Sequence, residues 1–141
     1  MEIKRDIFNE LLSHSVENEI TLLTGARQVG KTTVMNQLAS HLEKRGQECI
    51  SFTLEDKKIL SFLNEDPKNL ISLIPPLGDE KRLVVIIDEI QYLDDPSNFL
   101  KLIFDLYKDK IKLMVTGSSP FYLDKKFKDS LAYEVSRERQ N

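Results

Sequence analysis

Residues 25–33, with the sequence GARQVGKTT, have the types and the spacing of a phosphate-binding loop. Gly25 and Gly30 allow the backbone to fold back and turn its N–H groups inward, which makes a concave site for an anion. Lys31 supplies a mobile positive charge for the outer phosphates of a nucleotide, and Thr32 offers a hydroxyl oxygen to Mg²⁺. The pattern therefore predicts a loop that holds nucleotide phosphates together with magnesium.

The segments on either side favour this prediction over the alternative, a glycine-rich turn that binds nothing. Residues 19–24 form an apolar, β-branched stretch that predicts a buried strand. After the loop, apolar residues recur at helical spacing, at Val34, Met35, Leu38 and Leu42. A helix that begins at the loop adds the positive end of its dipole to the anion site.

Two acidic residues follow the most hydrophobic segment in the chain. Residues 83–87, LVVII, form a continuous aliphatic run that predicts a central strand of a parallel sheet, covered on both faces. Asp88 comes next and is expected to hold Mg²⁺ through water, opposite Thr32, while Glu89 is expected to orient or deprotonate an attacking water. The alternative is that both acids only end a strand at the surface, and the phosphate loop upstream argues against it.

A third polar cluster, residues 116–119, ends the next predicted strand. Thr116 is a candidate for sensing the γ-phosphate or the attacking water, although TGSS is also ordinary turn and cap chemistry. Gln91 is expected to be a solvated surface glutamine, with water positioning, suggested by its closeness to Glu89, as the alternative. Because ligands of parallel sheets bind at the carboxyl ends of the strands, we expect the three polar clusters to meet at one edge.

The rest of the chain predicts strands that alternate with helices, and therefore an α/β fold with a parallel sheet flanked by helices. Residues 1–14 have the periodicity of an amphipathic helix, and residues 48–54 suit a second strand. Asp-Pro pairs at 66–67 and 95–96 are typical helix starts, and a last helix is expected over 121–132.

Composition narrows the function classes. The chain has 141 residues, of which 40% are hydrophobic and 30% charged, as in an ordinary globular domain. No apolar run approaches the roughly 20 residues that a membrane helix needs, and the N-terminus lacks a signal-peptide core, so a cytoplasmic location is expected. The net charge is −3 with basic residues scattered among acids, which gives no support for direct nucleic-acid binding.

Four separated stretches resemble a prokaryotic family of AAA-type P-loop ATPases: ITLLTGARQVGKTTVMNQL, VVIIDEIQYL, KLMVTGSSPFYL and KDSLA. The resemblance covers about residues 1–132. It implies ATP and Mg²⁺ as ligands, with residues 25–33 as the Walker A loop and with Asp88 and Glu89 as the Walker B pair. Thr116 corresponds to the polar residue that ends the sensor strand.

The resemblance assigns three sets of site residues. The catalytic residues are Glu89, Lys31 and Thr116, and the metal ligands are Thr32 and Asp88. The nucleotide-binding residues are those of the loop, namely Gly25, Ala26, Arg27, Gln28, Val29, Gly30, Lys31, Thr32 and Thr33.

The chain departs from the family pattern after Ala132. Family members continue into a Gly-Arg pair, another strand and a lid, whereas Tyr133 and Glu134 follow here. We therefore expect an ATP-binding core over 1–132, an atypical polar tail over 133–141, and a P-loop NTPase sheet that lacks its last core strand. A bare edge beside the phosphate-loop strand would expose apolar surface and favour self-association or a protein partner.

The leading hypothesis is Mg²⁺-dependent ATP binding with slow hydrolysis that drives or switches an unknown partner. The alternatives are a nucleotide-controlled interaction module and a truncated fragment with little or no hydrolysis. A GTPase is disfavoured, because no glycine stands three residues after Asp88 and no [NT]-K-x-D segment occurs. A small-molecule kinase is disfavoured, because no arginine-rich lid is visible and the acid pair suits water activation.

Overall fold

A five-stranded parallel sheet is the centre of the fold. The computed structural model describes residues 2–25, 30–118 and 132–136. Its strands are β1 Ile20–Thr24, β2 Cys49–Thr53, β3 Leu83–Asp88, β4 Ile111–Gly117 and β5 Ala132–Ser136, in the sheet order β2-β3-β4-β1-β5. Because all strands run the same way, their carboxyl ends share one edge, and the predicted α/β parallel fold is confirmed.

The described part of the chain also contains four α-helices and two short 3₁₀ helices. They are α1 Glu2–His14, α2 Lys31–Lys44, α3 Lys57–Glu65 and α4 Pro96–Tyr107, with 3₁₀ helices at Pro67–Leu73 and Ile90–Tyr92. Both Asp-Pro pairs are helix starts, since the Asp66 and Asp95 carboxylates accept hydrogen bonds from backbone N–H groups of the first turn. The first pair opens a 3₁₀ helix. Among the described helices, none combines the length and the apolar character needed to cross a membrane.

Apolar side chains cover both faces of the sheet. On one face lie α3, the 3₁₀ helix Pro67–Leu73 and α4, and on the other lie α1 and α2. Strand β3 contributes to both faces by alternation, with Val85 and Ile87 in the first cluster and Val84 and Ile86 in the second. The uninterrupted aliphatic run is thus explained, because neither face of β3 meets water.

The expectation that the last core strand is missing is wrong. Residues 132–136 form β5, which pairs in parallel with β1, so that Ile20 lies opposite Ala132 and Thr24 opposite Ser136. Val135 is 1% exposed and packs into the cluster formed by α1 and α2. An edge strand needs only one buried apolar face. In β5 the buried side chain of Val135 is enough to provide it, although a polar tail was expected there.

Three related expectations change with β5. Residues 133–136 were expected in a polar tail and belong to β5 instead. The rest of that expected tail lies outside the described residues. The predicted helix over 121–132 also lies outside them, except for Ala132, which begins β5. The expected self-association through an exposed edge of β1 is no longer supported, because β5 pairs with β1 along that edge.

Side-chain contacts attach β5 to the N-terminal helix. The Tyr133 ring stacks on the His14 ring of α1, with ring centroids 3.6 Å apart and planes inclined by 14°. The Tyr133 hydroxyl donates a hydrogen bond to the Glu10 carboxylate one turn earlier in α1. The amphipathic helix predicted over residues 1–14 therefore packs on the domain itself, against α2 and β5.

Lys112 is a buried cation at the start of β4, at the sheet edge opposite the three polar clusters. Its side chain is 1% exposed, and its ammonium donates a hydrogen bond to the backbone oxygen of Glu19. Burial, reinforced by the nearby charge of Arg82, lowers the pKa of Lys112 from 10.5 to about 8. The acids Glu17 and Glu19 oppose this change without cancelling it.

This buried cation makes stability depend on pH. Between about pH 8 and 10.5 the unfolded chain keeps the Lys112 proton that the folded chain has released, so the free energy of unfolding rises with pH. In Lys112→Met this rise is expected to disappear, as measured by urea unfolding at a series of pH values. Burial raises the pKa of Cys49 to about 11, which acts in the opposite direction. The reference protein and Lys112→Met should therefore both carry Cys49→Ala. If their free energies of unfolding differ by an amount that does not vary with pH, the prediction is contradicted.

Candidate active site

The three predicted polar clusters follow β1, β3 and β4, which are consecutive in the sheet order β3-β4-β1. Their carboxyl ends lie side by side, with Thr24 opposite Gly117 and Ile87 opposite Val115. The clusters therefore meet at one edge, as expected from the rule for ligand sites in parallel sheets.

The two glycines of the loop have backbone conformations that other residues rarely adopt. Gly25 has φ 137°, and Gly30 has φ 78° and ψ 31°, which is the left-handed region. Helix α2 begins directly after Gly30, a residue with no side chain to cap the first-turn N–H groups. The positive end of α2 therefore points at the loop. Residues 26–29 lie outside the described residues, so the roles of Ala26, Arg27, Gln28 and Val29 stay predictions.

Lys31 lies at the first position of α2, and its side chain is folded back onto the loop. It is 3% exposed, and its ammonium donates a hydrogen bond of 2.6 Å to the backbone oxygen of Gly25. The cation therefore lies between the two ends of the loop, where the phosphates of a nucleotide are expected. Thr33, two positions on, is exposed.

The Asp88 carboxylate joins the loop helix to the sheet. Asp88 is 9% exposed, and its Oδ2 accepts a hydrogen bond of 2.9 Å from the Thr32 hydroxyl of α2. Its Oδ1 accepts another hydrogen bond from the buried Thr116 hydroxyl of β4. One residue from each of the other two sequence clusters, Thr32 and Thr116, thus lies within hydrogen-bond distance of the Asp88 carboxylate.

Thr32 and Asp88 fit a magnesium ion. Both offer hard oxygen donors, and 2.9 Å between Thr32 Oγ1 and Asp88 Oδ2 is about the spacing of adjacent ligands in an octahedron with bonds of roughly 2.0–2.1 Å. Within the described part of the chain, no group of three or more His, Cys, Asp or Glu side chains could hold a metal.

Glu89 has a strained backbone. Its φ of 63° and ψ of 51° lie in the left-handed region, which is uncommon for a residue with a side chain. Such a conformation costs on the order of 1–3 kcal/mol and persists only where its surroundings hold it. Here the Glu89 N–H donates a hydrogen bond of 2.9 Å to Thr116 Oγ1, and the side chain is largely buried at 6% exposure.

Gln91 contacts Glu89 directly, so the expectation that it is a solvated surface glutamine is wrong. Its side chain is half-buried, and its amide nitrogen donates a hydrogen bond of 2.7 Å to Glu89 Oε1. Its amide oxygen accepts a longer one of 3.4 Å from the Ser118 N–H, just past β4. The only signal in the sequence was its position two residues after Glu89.

A cavity of about 240 Å³ adjoins the candidate metal ligands. It lies between α2 and β2, and Thr32 and Asp88 line it together with Asn36, Ser51 and Thr53. At about 30 Å³ per water molecule, this volume admits an ion with its hydration shell. No motif in the sequence marked the last three residues, because their polar side chains come together only through the pairing of β2 with β3.

Glu134 of β5 was also missed by sequence reasoning. Its Oε2 accepts a hydrogen bond of 2.8 Å from the hydroxyl of Thr24, the residue that precedes Gly25. The edge strand therefore supports the start of the loop. Nothing in the local sequence signals this contact, since the two residues are 110 positions apart.

Thr116→Val tests how far the site depends on one hydroxyl. The substitution removes the donor to Asp88 and the acceptor for the Glu89 N–H, and leaves both groups buried without that partner. We expect a loss of about 1–3 kcal/mol in the free energy of unfolding, measured by urea titration. Thr21→Val is the matched control, because Thr21 is equally buried in β1 but its hydroxyl lies 3.5 Å from His14 Nδ1, a weak contact. Equal losses in the two variants would contradict the prediction.

Comparison with known proteins agrees with this geometry. A family model described as an AAA domain matches residues 17–138. An uncharacterized protein of Methanocaldococcus jannaschii is 29% identical over 124 residues, which is 84% of this chain but 26% of the relative. The chain thus spans about a quarter of the length of that relative.

Solved structures share the fold at low sequence identity. The replication initiator DnaA bound to AMPPCP and single-stranded DNA has a TM-score of 0.61 at 16% identity, covering 92% of this chain and 44% of that one. PCH-2 of C. elegans has a TM-score of 0.59 at 20% identity, with coverages of 95% and 39%. RuvB of Thermotoga maritima has a TM-score of 0.59 at 18% identity, with coverages of 95% and 44%.

These structures establish the P-loop ATPase fold, and the family model adds the sequence relationship. The matched region includes the phosphate loop, the acid pair after β3, the polar end of β4 and strand β5. The chain therefore belongs to the AAA domain family of P-loop ATPases.

Proposed function

We propose that this domain binds ATP with Mg²⁺ and hydrolyses it, and that the nucleotide state drives or switches a partner. The observation that carries the proposal is the contact of Asp88 with both Thr32 and Thr116, with Glu89 as the next residue. Groups suited to phosphate, metal and water thereby come within reach of one another. Family membership supports nucleotide binding.

The buried ammonium of Lys31 supports phosphate binding. In the structure it donates to a neutral carbonyl oxygen of Gly25. A charged donor forms a stronger hydrogen bond with an anionic acceptor, particularly away from water. Phosphate oxygens of ATP are therefore a strong partner for this cation, and the N–H groups of the loop residues 25–33 are proposed to surround them.

Magnesium would be held by Thr32 and Asp88. When bound, the ion neutralises charge that develops on the transferring phosphoryl group. The hydrogen bond from Thr116 fixes one oxygen of Asp88, so that the other faces Thr32 and the cavity next to it. This arrangement orients the carboxylate before any ion arrives.

Glu89 is proposed to orient and deprotonate the attacking water. Thr116 is proposed to act through its neighbours, because its hydroxyl already donates to Asp88 and accepts from the Glu89 N–H. A direct contact with the γ-phosphate would require that hydroxyl to give up its donation to Asp88. Thr116 therefore serves first to position the two acids.

A nucleotide-controlled interaction module is the second candidate. It is favoured by the burial of Glu89, which is 6% exposed, since a carboxylate shielded in this way can remain away from water. In that case the domain would bind ATP through the same loop and release it unchanged. Measurement of turnover separates the two candidates.

Glu89→Gln is expected to abolish hydrolysis and keep ATP binding. A general base contributes about 10²–10⁴-fold, so the rate of phosphate release should fall at least about 100-fold while the Kd for ATP stays within about threefold. Glu80→Gln, an exposed acid in a surface loop, is the control and should keep the wild-type rate. Unchanged turnover in Glu89→Gln would refute the role given to Glu89.

Lys31→Ala is expected to remove the thermal stabilisation that ATP gives to the domain. A ligand at 100 times its Kd stabilises by about 2.7 kcal/mol, which shifts the Tm of a domain of this size by several degrees. The measurement is the Tm with and without Mg²⁺–ATP, so that each variant is compared with itself. Lys44→Ala, at the far end of the same helix, should keep the full shift. An equal shift in Lys31→Ala would count against the phosphate site.

A further inference from the structure

The amide of Gln91 is held at both ends by groups that differ in chemistry. Its nitrogen faces Glu89 Oε1 at 2.7 Å, and its oxygen faces the Ser118 N–H at 3.4 Å. A carboxylate oxygen only accepts and a backbone N–H only donates, so the amide satisfies both in one orientation. A glutamine matches this pair of neighbours where a glutamate or a lysine would not.

The two acidic residues that precede Gln91 are also attached to β4. Glu89 donates its N–H to Thr116, and Thr116 donates its hydroxyl to Asp88. The segment 88–91 is therefore connected to the end of β4 at three positions, two through Thr116 and one through Ser118. The contact with the Glu89 N–H fixes the backbone, the contact with Asp88 fixes its side-chain carboxylate, and the Gln91 amide fixes the carboxylate of Glu89.

We infer that Gln91 is a positioning residue for the reaction, which holds the Glu89 carboxylate in place for the attacking water and couples it to the end of β4. This inference rests on the proposed ATP hydrolysis. The amide occupies Oε1 of Glu89, and Oε2 is the oxygen assigned to the water. Because an amide carries no net charge, it orients the carboxylate without neutralising it, whereas a lysine or arginine there would weaken the base.

The contact with Ser118 extends this role beyond orientation. Gln91 can keep both hydrogen bonds only while the end of β4 stays at its present distance from the 3₁₀ helix Ile90–Tyr92. A displacement of residue 118 therefore changes the constraint on Glu89. Through this amide, the rate of hydrolysis depends on the conformation of the segment that ends β4.

The test replaces Gln91 by side chains of similar size. Gln91→Met keeps the length and removes both polar groups, and Gln91→Glu keeps an acceptor for Ser118 but removes the donor to Glu89. In steady-state assays with Mg²⁺–ATP, we expect each to lower kcat about tenfold or more and to leave the KM for ATP within about twofold. The second variant keeps the test valid if the first does not fold.

A double variant separates positioning from general damage. Gln91→Met added to Glu89→Gln should lower the residual rate no further, because Gln91 acts through the Glu89 carboxylate. Gln47→Met is the matched control, since Gln47 also makes two hydrogen bonds, to the backbone oxygens of Glu48 and Arg82, at the opposite sheet edge. Its kcat should equal that of the wild type.

The outcomes distinguish this inference from the proposed function. If the wild type hydrolyses ATP and Glu89→Gln does not, a wild-type kcat in both Gln91 variants overturns the inference alone. A loss of rate that comes with an equal rise in KM, or that persists in the Glu89→Gln background, overturns it as well. A wild-type protein without any hydrolysis overturns both.

Discussion

A buried carboxylate at the end of β3 is the constraint on which the site depends. Removing the charge of Asp88 from water is costly unless its oxygens are hydrogen-bonded. Two threonine hydroxyls meet this requirement, and they come from different elements, Thr32 from α2 and Thr116 from β4. Satisfying one acid therefore sets the position of the loop helix relative to two strands. The arrangement proposed to bind phosphate and metal therefore follows from hydrogen bonds that the buried Asp88 carboxylate requires for folding.

The central part of the fold could be predicted because its signals are local. A run of aliphatic residues at 83–87 is typical of a strand covered on both faces, and each Asp-Pro pair opens a helix through a cap within three residues. The phosphate loop and the acid pair could be recognised for the same reason, because each is identified by residues that are adjacent in the sequence. In α4, however, Leu106 follows Phe99 and Ile103 at helical spacing and is nonetheless 51% exposed, while Leu100 is buried. The rotation of that helix is set by its packing partners, which a local pattern does not contain.

Strand β5 could not be predicted from a family motif, because its pairing with β1 and not a motif defines it. The expected Gly-Arg pair is not there, but a parallel edge strand requires backbone hydrogen bonds and one buried face, and Val135 provides that face. The contacts of Glu89 with Thr116 and of Gln91 with Ser118 span 27 residues each, and that of Thr24 with Glu134 spans 110. Such hydrogen bonds depend on the register of the sheet. Sequence spacing could therefore name the acids of the site but not what holds them in place.

The left-handed backbone of Glu89 has a consequence for how this domain can be changed. Glycine adopts φ 63° without steric cost, and asparagine does so more readily than glutamate, so either residue would relax the chain at this position. Either would also remove the carboxylate assigned to the chemistry. Stability and activity thus make opposite demands on a single residue, and selection for a more heat-resistant domain would be expected to discard the acid first.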